Sequence, residues 1–119
     1  MGNGSMECLF CKIVNREIPA RILFEDDQTI AFFDLHPQAP LHLLIVPRRH
    51  IASLAHVEDT PENHALLGHL LGVVTQIAAA QKIMHGYRTV INTGVDGGQT
   101  VDHLHLHLLA GRAMEWPPG

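Results

Sequence analysis

The sequence predicts an α+β fold, an antiparallel five-stranded sheet with one long helix on a face and a short helix at the N-terminus. Three observations carry this expectation. Five short segments of strand character are split by a single long segment of helical period, in the order strand, strand, strand, helix, strand, strand. Glycine and proline clusters punctuate the chain at each junction. The stretch His103-Leu104-His105-Leu106-His107-Leu108-Leu109 alternates with period two, which sends imidazoles to one face of an extended strand and leucines to the other.

Each element follows from local chemistry. Glu7 to Asn15 reads as a short helical or turn-rich entry with Leu9, Phe10, Ile13 and Val14 facing inward, broken by Ile18-Pro19-Ala20. Arg21 to Glu25 is a strand, Asp26-Asp27 a turn, and Gln28 to Asp34 a second strand around Ile30, Phe32 and Phe33. A loop with two prolines follows, His36 to Pro40. Leu41 to Val46 is almost wholly apolar, as a central strand covered on both faces should be. Thr60 is a candidate N-cap, with Pro61 and Glu62 in the first turn, and a helix should run from Pro61 to about Lys82. Its apolar stripe is wide enough to pack on a sheet, and His85-Gly86 stops it. Tyr87 to Asn92 and Val101 to Leu109 then form a hairpin around the glycine-rich loop Thr93 to Thr100.

Composition narrows the function. The 119 residues suffice for one domain with a real core, expected over 7–119. Residues 1–6 are expected to be an appended remnant or a disordered start ahead of Met6. Only eight basic residues and a formal charge of −4 argue against a broad nucleic-acid surface. No apolar run is long enough for a membrane span, and no secretory signal is visible, so a cytoplasmic location is expected. Cys8 and Cys11 are too close in sequence to staple a fold, and read as reduced thiols or metal ligands.

The three histidines should sit on one face, roughly 7 Å apart. Such a row costs free energy to bury for no purpose, and it suits a nucleophile or a metal site. A surface ladder of satisfied imidazoles is the blander alternative. Gly94, Gly97 and Gly98 could bring backbone amides to an anion, with Thr100 adding a hydroxyl and Asn92 an amide, or they could simply serve a hairpin turn. Cys8 and Cys11, with His50 and one histidine of the strand, could complete a tetrahedral zinc site. Asp34, at a strand end, could accept both hydroxyls of a ribose. Phe10, Ile13, Ile18, Phe32 and Leu35 could line an apolar cleft for a base or simply be core. Arg48-Arg49 reads as a solvated charge pair.

His103 to Leu109 also matches the His-φ-His-φ-His-φ-φ signature of the histidine triad (HIT) family. Ile18-Pro19-Ala20, Phe24-Glu25-Asp26-Asp27, Pro37-Gln38-Ala39-Pro40, Pro47 to Ile51, Asp96 to Gln99 and the Trp116-Pro117-Pro118-Gly119 end resemble its Hint branch, so the likeness covers nearly the whole chain. The resemblance implies a homodimer whose two sheets join into one ten-stranded sheet. It implies binding of purine nucleoside monophosphates and hydrolysis of nucleoside phosphoramidates, including adenylylated amines and lysine adducts, and also of aminoacyl adenylates, with no cofactor required for catalysis.

Mapped onto this chain, the resemblance implies His105 as the nucleophile that forms a nucleotidyl-histidine, His107 as a phosphate contact, and His103 as a residue that shapes the site. Asn92, Gly98 and Thr100 fall on the phosphate positions, Asp34 on the ribose acid, and Phe10, Ile13, Ile18, Phe32 and Leu35 around the base. Cys8 and Cys11 resemble bacterial members, some of which bind zinc. The implied ligands are Cys8, Cys11, His50 and His103. Thr100, Asp102 and His36 depart from the best-known members, which bears on substrate preference. Alternatives on the same fold are a dinucleoside polyphosphate hydrolase, a nucleotidyl transferase, and a non-enzymatic nucleotide-binding regulatory module.

Overall fold

The computed structural model describes residues 8–119, so the expectations for residues 1–6 and for a helix starting at Glu7 lie outside the described residues. Helix α1 spans Leu9–Val14. Strands β1 (Ile22–Glu25), β2 (Thr29–Phe33) and β3 (Leu41–Pro47) follow, then helix α2 (Pro61–Ala80) and strands β4 (Tyr87–Val90) and β5 (Leu106–Ala110). The sheet order is β1-β2-β3-β5-β4, antiparallel throughout. This is the expected α+β architecture. No helix among the described residues is long and apolar enough to cross a membrane.

The sheet separates two cores, because successive side chains of each strand point to opposite faces. Ala31, Leu43, Ile45, Leu106 and Leu108 pack under α2 against Leu66, Leu70, Val73, Val74 and Ile77. Ile30, Phe32, Leu44 and Val46 lie on the other face with Phe10, Cys11 and Ile13 of α1. Full burial of each large apolar side chain stabilises the fold by about 1.5–3 kcal/mol. The caps are those the sequence announces. Thr60 Oγ1 accepts from the Asn63 amide at 3.1 Å, and Asp26 Oδ1 closes the β1–β2 turn by accepting from the amides of Gln28 and Thr29.

Several boundaries differ from expectation. α2 ends at Ala80 because Lys82 adopts a left-handed φ of 54°, with its amide and that of Ile83 donating back to Ala79 and Ala78. β4 stops at Val90, two residues early. Leu9 is 46% exposed, whereas Phe10, Cys11 and Ile13 of α1 are buried and Val14 packs half-buried against them. Arg49 is exposed and Arg48 half-buried, so the pair is partly solvated as expected, but both guanidiniums also hold partners. Arg48 Nε donates to Asp26 O at 2.7 Å, and Arg49 Nη2 donates to Asn63 Oδ1 at 2.6 Å.

The largest difference concerns the histidine segment, which joins the ladder only at Leu106. Upstream, the His103 amide donates to Val101 O, and the Leu104 amide donates to Ile51 O, on the loop after β3. The alternation survives this detour, since Leu104, Leu106 and Leu108 all enter the α2 core.

Candidate active site and metal centre

The bend ahead of β5 divides the histidine row between two clusters. His105 and His107 remain neighbours, with ring centroids 5.1 Å apart. His103 is fully buried, and its Nδ1 lies 3.4 Å from Cys8 Sγ, 3.5 Å from Cys11 Sγ and 3.2 Å from His50 Nδ1. Cys11 Sγ is also 3.2 Å from His50 Nδ1. Cys8 is the N-cap of α1, and its Sγ accepts from the Cys11 amide, which turns both thiols toward His103.

The four donors Cys8, Cys11, His50 and His103 lie within 4.8 Å of one another. Two sulfurs and two imidazoles form a donor set suited to Zn²⁺. The proton inventory fits as well. His103 Nε2–H donates to Pro47 O at 2.8 Å, which leaves Nδ1 bare and turned to the thiols. Burial pushes the Cys11 thiol up to about 12, so a cation entering here must displace its proton.

The other imidazoles line a cleft of about 320 Å³ between α1 and the sheet. Phe10, Ile13, Ile18, Phe32 and Leu35 form its apolar walls, with Leu35 at the rim, 86% exposed. Asp34, Thr100, His105 and His107 supply its polar groups. Phe10 stands edge-on to Phe32 (5.5 Å) and to the His105 ring (5.1 Å).

Hydrogen bonds fix which ring nitrogen bears the proton. His105 Nδ1–H donates to His103 O at 2.6 Å, so its Nε2 carries a free lone pair. His42, on β3, accepts from the Gln38 amide at Nδ1 (3.0 Å), so its proton sits on Nε2. That Nε2–H donates to His107 Nδ1 at 2.9 Å, with Asp34 Oδ2 at 3.5 Å. His107 must then hold its own proton on Nε2. Two adjacent rings thus carry opposite roles, His105 with a bare Nε2 and His107 with an N–H. Burial keeps both neutral. It lowers the pKa of His105 and, with the neighbouring His105 and His42, brings that of His107 to about 4.

Asp34, His42 and His107 also bring ligand atoms within 4.8 Å. They are a poor metal site, because a cation on His42 Nε2 would force a proton onto Nδ1, against the Gln38 N–H.

The remaining phosphate candidates divide. Thr100 lines the cleft, whereas Asn92 and Gly98 do not. The Gly98 amide donates to Val95 O, the Gln99 amide to Gly94 O, and the Gly94 amide to Gln99 Oε1, so the loop engages these donors internally. Its glycines serve the turn. Gly98 has a φ of 80°, and a Cβ on Gly97 would collide with the Thr93 backbone. Gln99 Nε2 donates to Ala52 O and Val101 O, which fastens the loop beside Thr100.

His42 and Gln99 bond to the candidate site and its loop, and the sequence reading did not single them out. A lone histidine in an otherwise apolar central strand was the available signal for His42, since a buried imidazole needs partners.

Comparisons with known proteins agree with this geometry. Residues 7–116 match the family profile described as "Scavenger mRNA decapping enzyme C-term binding". An uncharacterized HIT-like protein of Synechococcus elongatus is 57% identical over 115 residues, covering 97% of this chain and 99% of that protein. The crystal structure of a HIT family hydrolase from Legionella pneumophila superposes with a TM-score of 0.90 at 50% identity, covering 95% of this chain and all of the other. A zinc-bound histidine triad family protein from Mycobacterium smegmatis superposes with a TM-score of 0.78 at 34% identity, over 92% of this chain and 78% of the other. The chain belongs to the histidine triad family.

Proposed function

We propose that this protein is a purine nucleoside phosphoramidase, a hydrolase that cleaves the P–N bond of adenylylated amines and lysine adducts and, by the same attack at phosphorus, the P–O bond of aminoacyl adenylates. The observation that carries the reading is the opposed pair of imidazoles in an apolar cleft, with a bare His105 Nε2 beside a protonated His107 Nε2. Similarity to a protein described as a HIT family hydrolase supports it.

In the first step His105 Nε2 bonds to phosphorus and the P–N bond breaks. The amine leaves with a proton taken from solvent. The nucleotidyl-imidazolium that remains keeps its Nδ1–H on the His103 carbonyl, which stabilises the new positive charge. His107 donates its Nε2–H to a phosphoryl oxygen as charge builds there, and His42 holds His107 in that tautomer. In the second step water bonds to phosphorus and loses a proton to solvent. The P–N bond to His105 breaks, which releases the monophosphate and restores neutral imidazole.

Asp34 is assigned to the ribose, Thr100 to the phosphate, and the Phe10, Ile13, Ile18, Phe32 and Leu35 walls to the base. Asn92 and Gly98 join the phosphate only if the Thr93–Thr100 loop closes on it. Cys8, Cys11, His50 and His103 would hold a structural Zn²⁺, which when bound ties α1 to the chain ahead of β5. The chemistry proposed in the cleft needs no cofactor. A cytoplasmic homodimer with its sheets joined edge to edge completes the reading. The free thiols suit a reducing compartment.

Turnover of adenosine phosphoramidate by His105→Ala tests it. We expect a loss on the order of 10⁴-fold with AMP binding retained. Unimpaired turnover contradicts the reading. Faster cleavage of a dinucleoside polyphosphate than of the phosphoramidate by the unmodified protein supports the runner-up.

A further inference from the structure

The two clusters share one residue. The ring of His103 belongs to the four-donor set, and its carbonyl accepts the Nδ1–H of His105 at 2.6 Å. The peptide between them is held closely. The His103 amide donates to Val101 O, His103 Nε2 is on Pro47 O, and the next amide, of Leu104, donates to Ile51 O, beside His50. A second path runs through α1. Phe10 lies next to Cys11 in sequence, and its ring stands 5.1 Å from His105 and 6.0 Å from His103, edge-on to both. The carbonyl and the aromatic ring that bracket His105 therefore both hang on segments that carry the donor set.

The donor set is also reachable from outside the cleft. Cys8 and His50 line a separate pocket of about 380 Å³ with the exposed Asp102 carboxylate on its wall. Thr100 and Val101 border both pockets. A cation can therefore enter or leave without passing the nucleotide cleft, past a group of opposite charge.

We propose that His103 is a positioning residue that couples divalent-cation occupancy of the Cys8, Cys11, His50 and His103 set to the orientation of the His105 ring, so that loading with zinc switches the site between a competent and a slack form. The inference rests on His105 being the nucleophile and adds a regulatory input to it. In the loaded form the ring of His103 is fixed at both nitrogens, and its carbonyl with it. In the emptied form Nδ1 has only the thiols and His50 as neighbours, and the carbonyl loses that restraint.

His50→Ala is the clean variant, because His50 touches the donor set and does not line the cleft. We expect zinc content to fall. The kcat for adenosine phosphoramidate should drop about tenfold or more, with KM changed by less than about twofold. The imidazole ¹⁵N signals of His105, which report the ring nitrogen bearing the proton, should shift toward a tautomer mixture. His50→Cys, which restores four donors, should recover zinc, the ¹⁵N signature and kcat together. Loss of zinc with an unaltered His105 signature and unaltered kcat would overturn the proposal. Should His50→Ala fail to fold, unmodified protein stripped with a chelator and reloaded with zinc gives the same comparison, and identical His105 signals in both forms overturn it. If no form turns over the phosphoramidate, the phosphoramidase reading fails, and the ¹⁵N comparison alone still decides the coupling.

Discussion

Two clusters of histidine lie side by side on one face of the sheet, and protons distinguish them. In the Cys8, Cys11, His50 and His103 cluster, a backbone carbonyl takes the far N–H of His103 and leaves a lone pair among thiols. In the Asp34, His42 and His107 cluster, a backbone amide occupies the far nitrogen of His42 and forces an N–H toward its neighbours. Both sets bring their ligand atoms within 4.8 Å of one another. One hydrogen bond to the far ring nitrogen, accepting in one case and donating in the other, suits the first set to a cation and makes the second a chain of N–H donors. Ligand type and spacing alone do not separate them.

The sharpest way to break this contrast is to remove the thiols. Zinc-loaded protein should contain one ion per chain, and Cys8→Ser combined with Cys11→Ser should contain none. Elemental analysis measures the ion, and thermal unfolding should show a loss of about 4 kcal/mol at zinc concentrations near a thousand times Kd. Zinc retained by the double variant would mean that the Asp34, His42 and His107 cluster binds metal after all.

A smaller effect is expected from the His42–His107 hydrogen bond. His42→Ala leaves His107 Nδ1 without its donor, and turnover should fall by about 10–100-fold. His42→Gln, whose amide nitrogen reaches near the position of Nε2, should recover part of that loss. Equal rates in the two variants would show that His42 only fills space.

The mildest effect is on stability against pH. Burial holds His107 neutral down to about 4, whereas an unfolded imidazole titrates near 6.5. Between those values the native state binds fewer protons than the unfolded one, so stability is full above about 6.5 and declines as pH falls toward 4. The melting temperature should drop over that interval, and less steeply in His107→Asn. Parallel slopes would remove His107 from the account.

Much of this was legible in the sequence because its signals were local. The period-two leucines, the Thr60-Pro61 cap and the Asp26-Asp27 turn each act within a few residues, and each appears where expected. That Phe10, Ile13, Ile18, Phe32 and Leu35 line an apolar cleft was also legible, since their chemistry is apolar wherever they fall. What failed was long-range. The histidine strand is shorter than its alternation suggests because Leu104 bonds to Ile51, 53 positions away in sequence. Local pattern also left the glycine loop open between an anion cradle and a hairpin turn, and its internal bonds, including those of Gln99, are those of a turn. His42 escaped notice because its partner lies across the sheet, 65 residues downstream.

The most direct test of the central claim is mass spectrometry of protein quenched during turnover of adenosine phosphoramidate. The account predicts an adenylyl adduct on the peptide containing His105, on that imidazole alone. An adduct on His107 or on a lysine, or its complete absence while turnover proceeds, would contradict it.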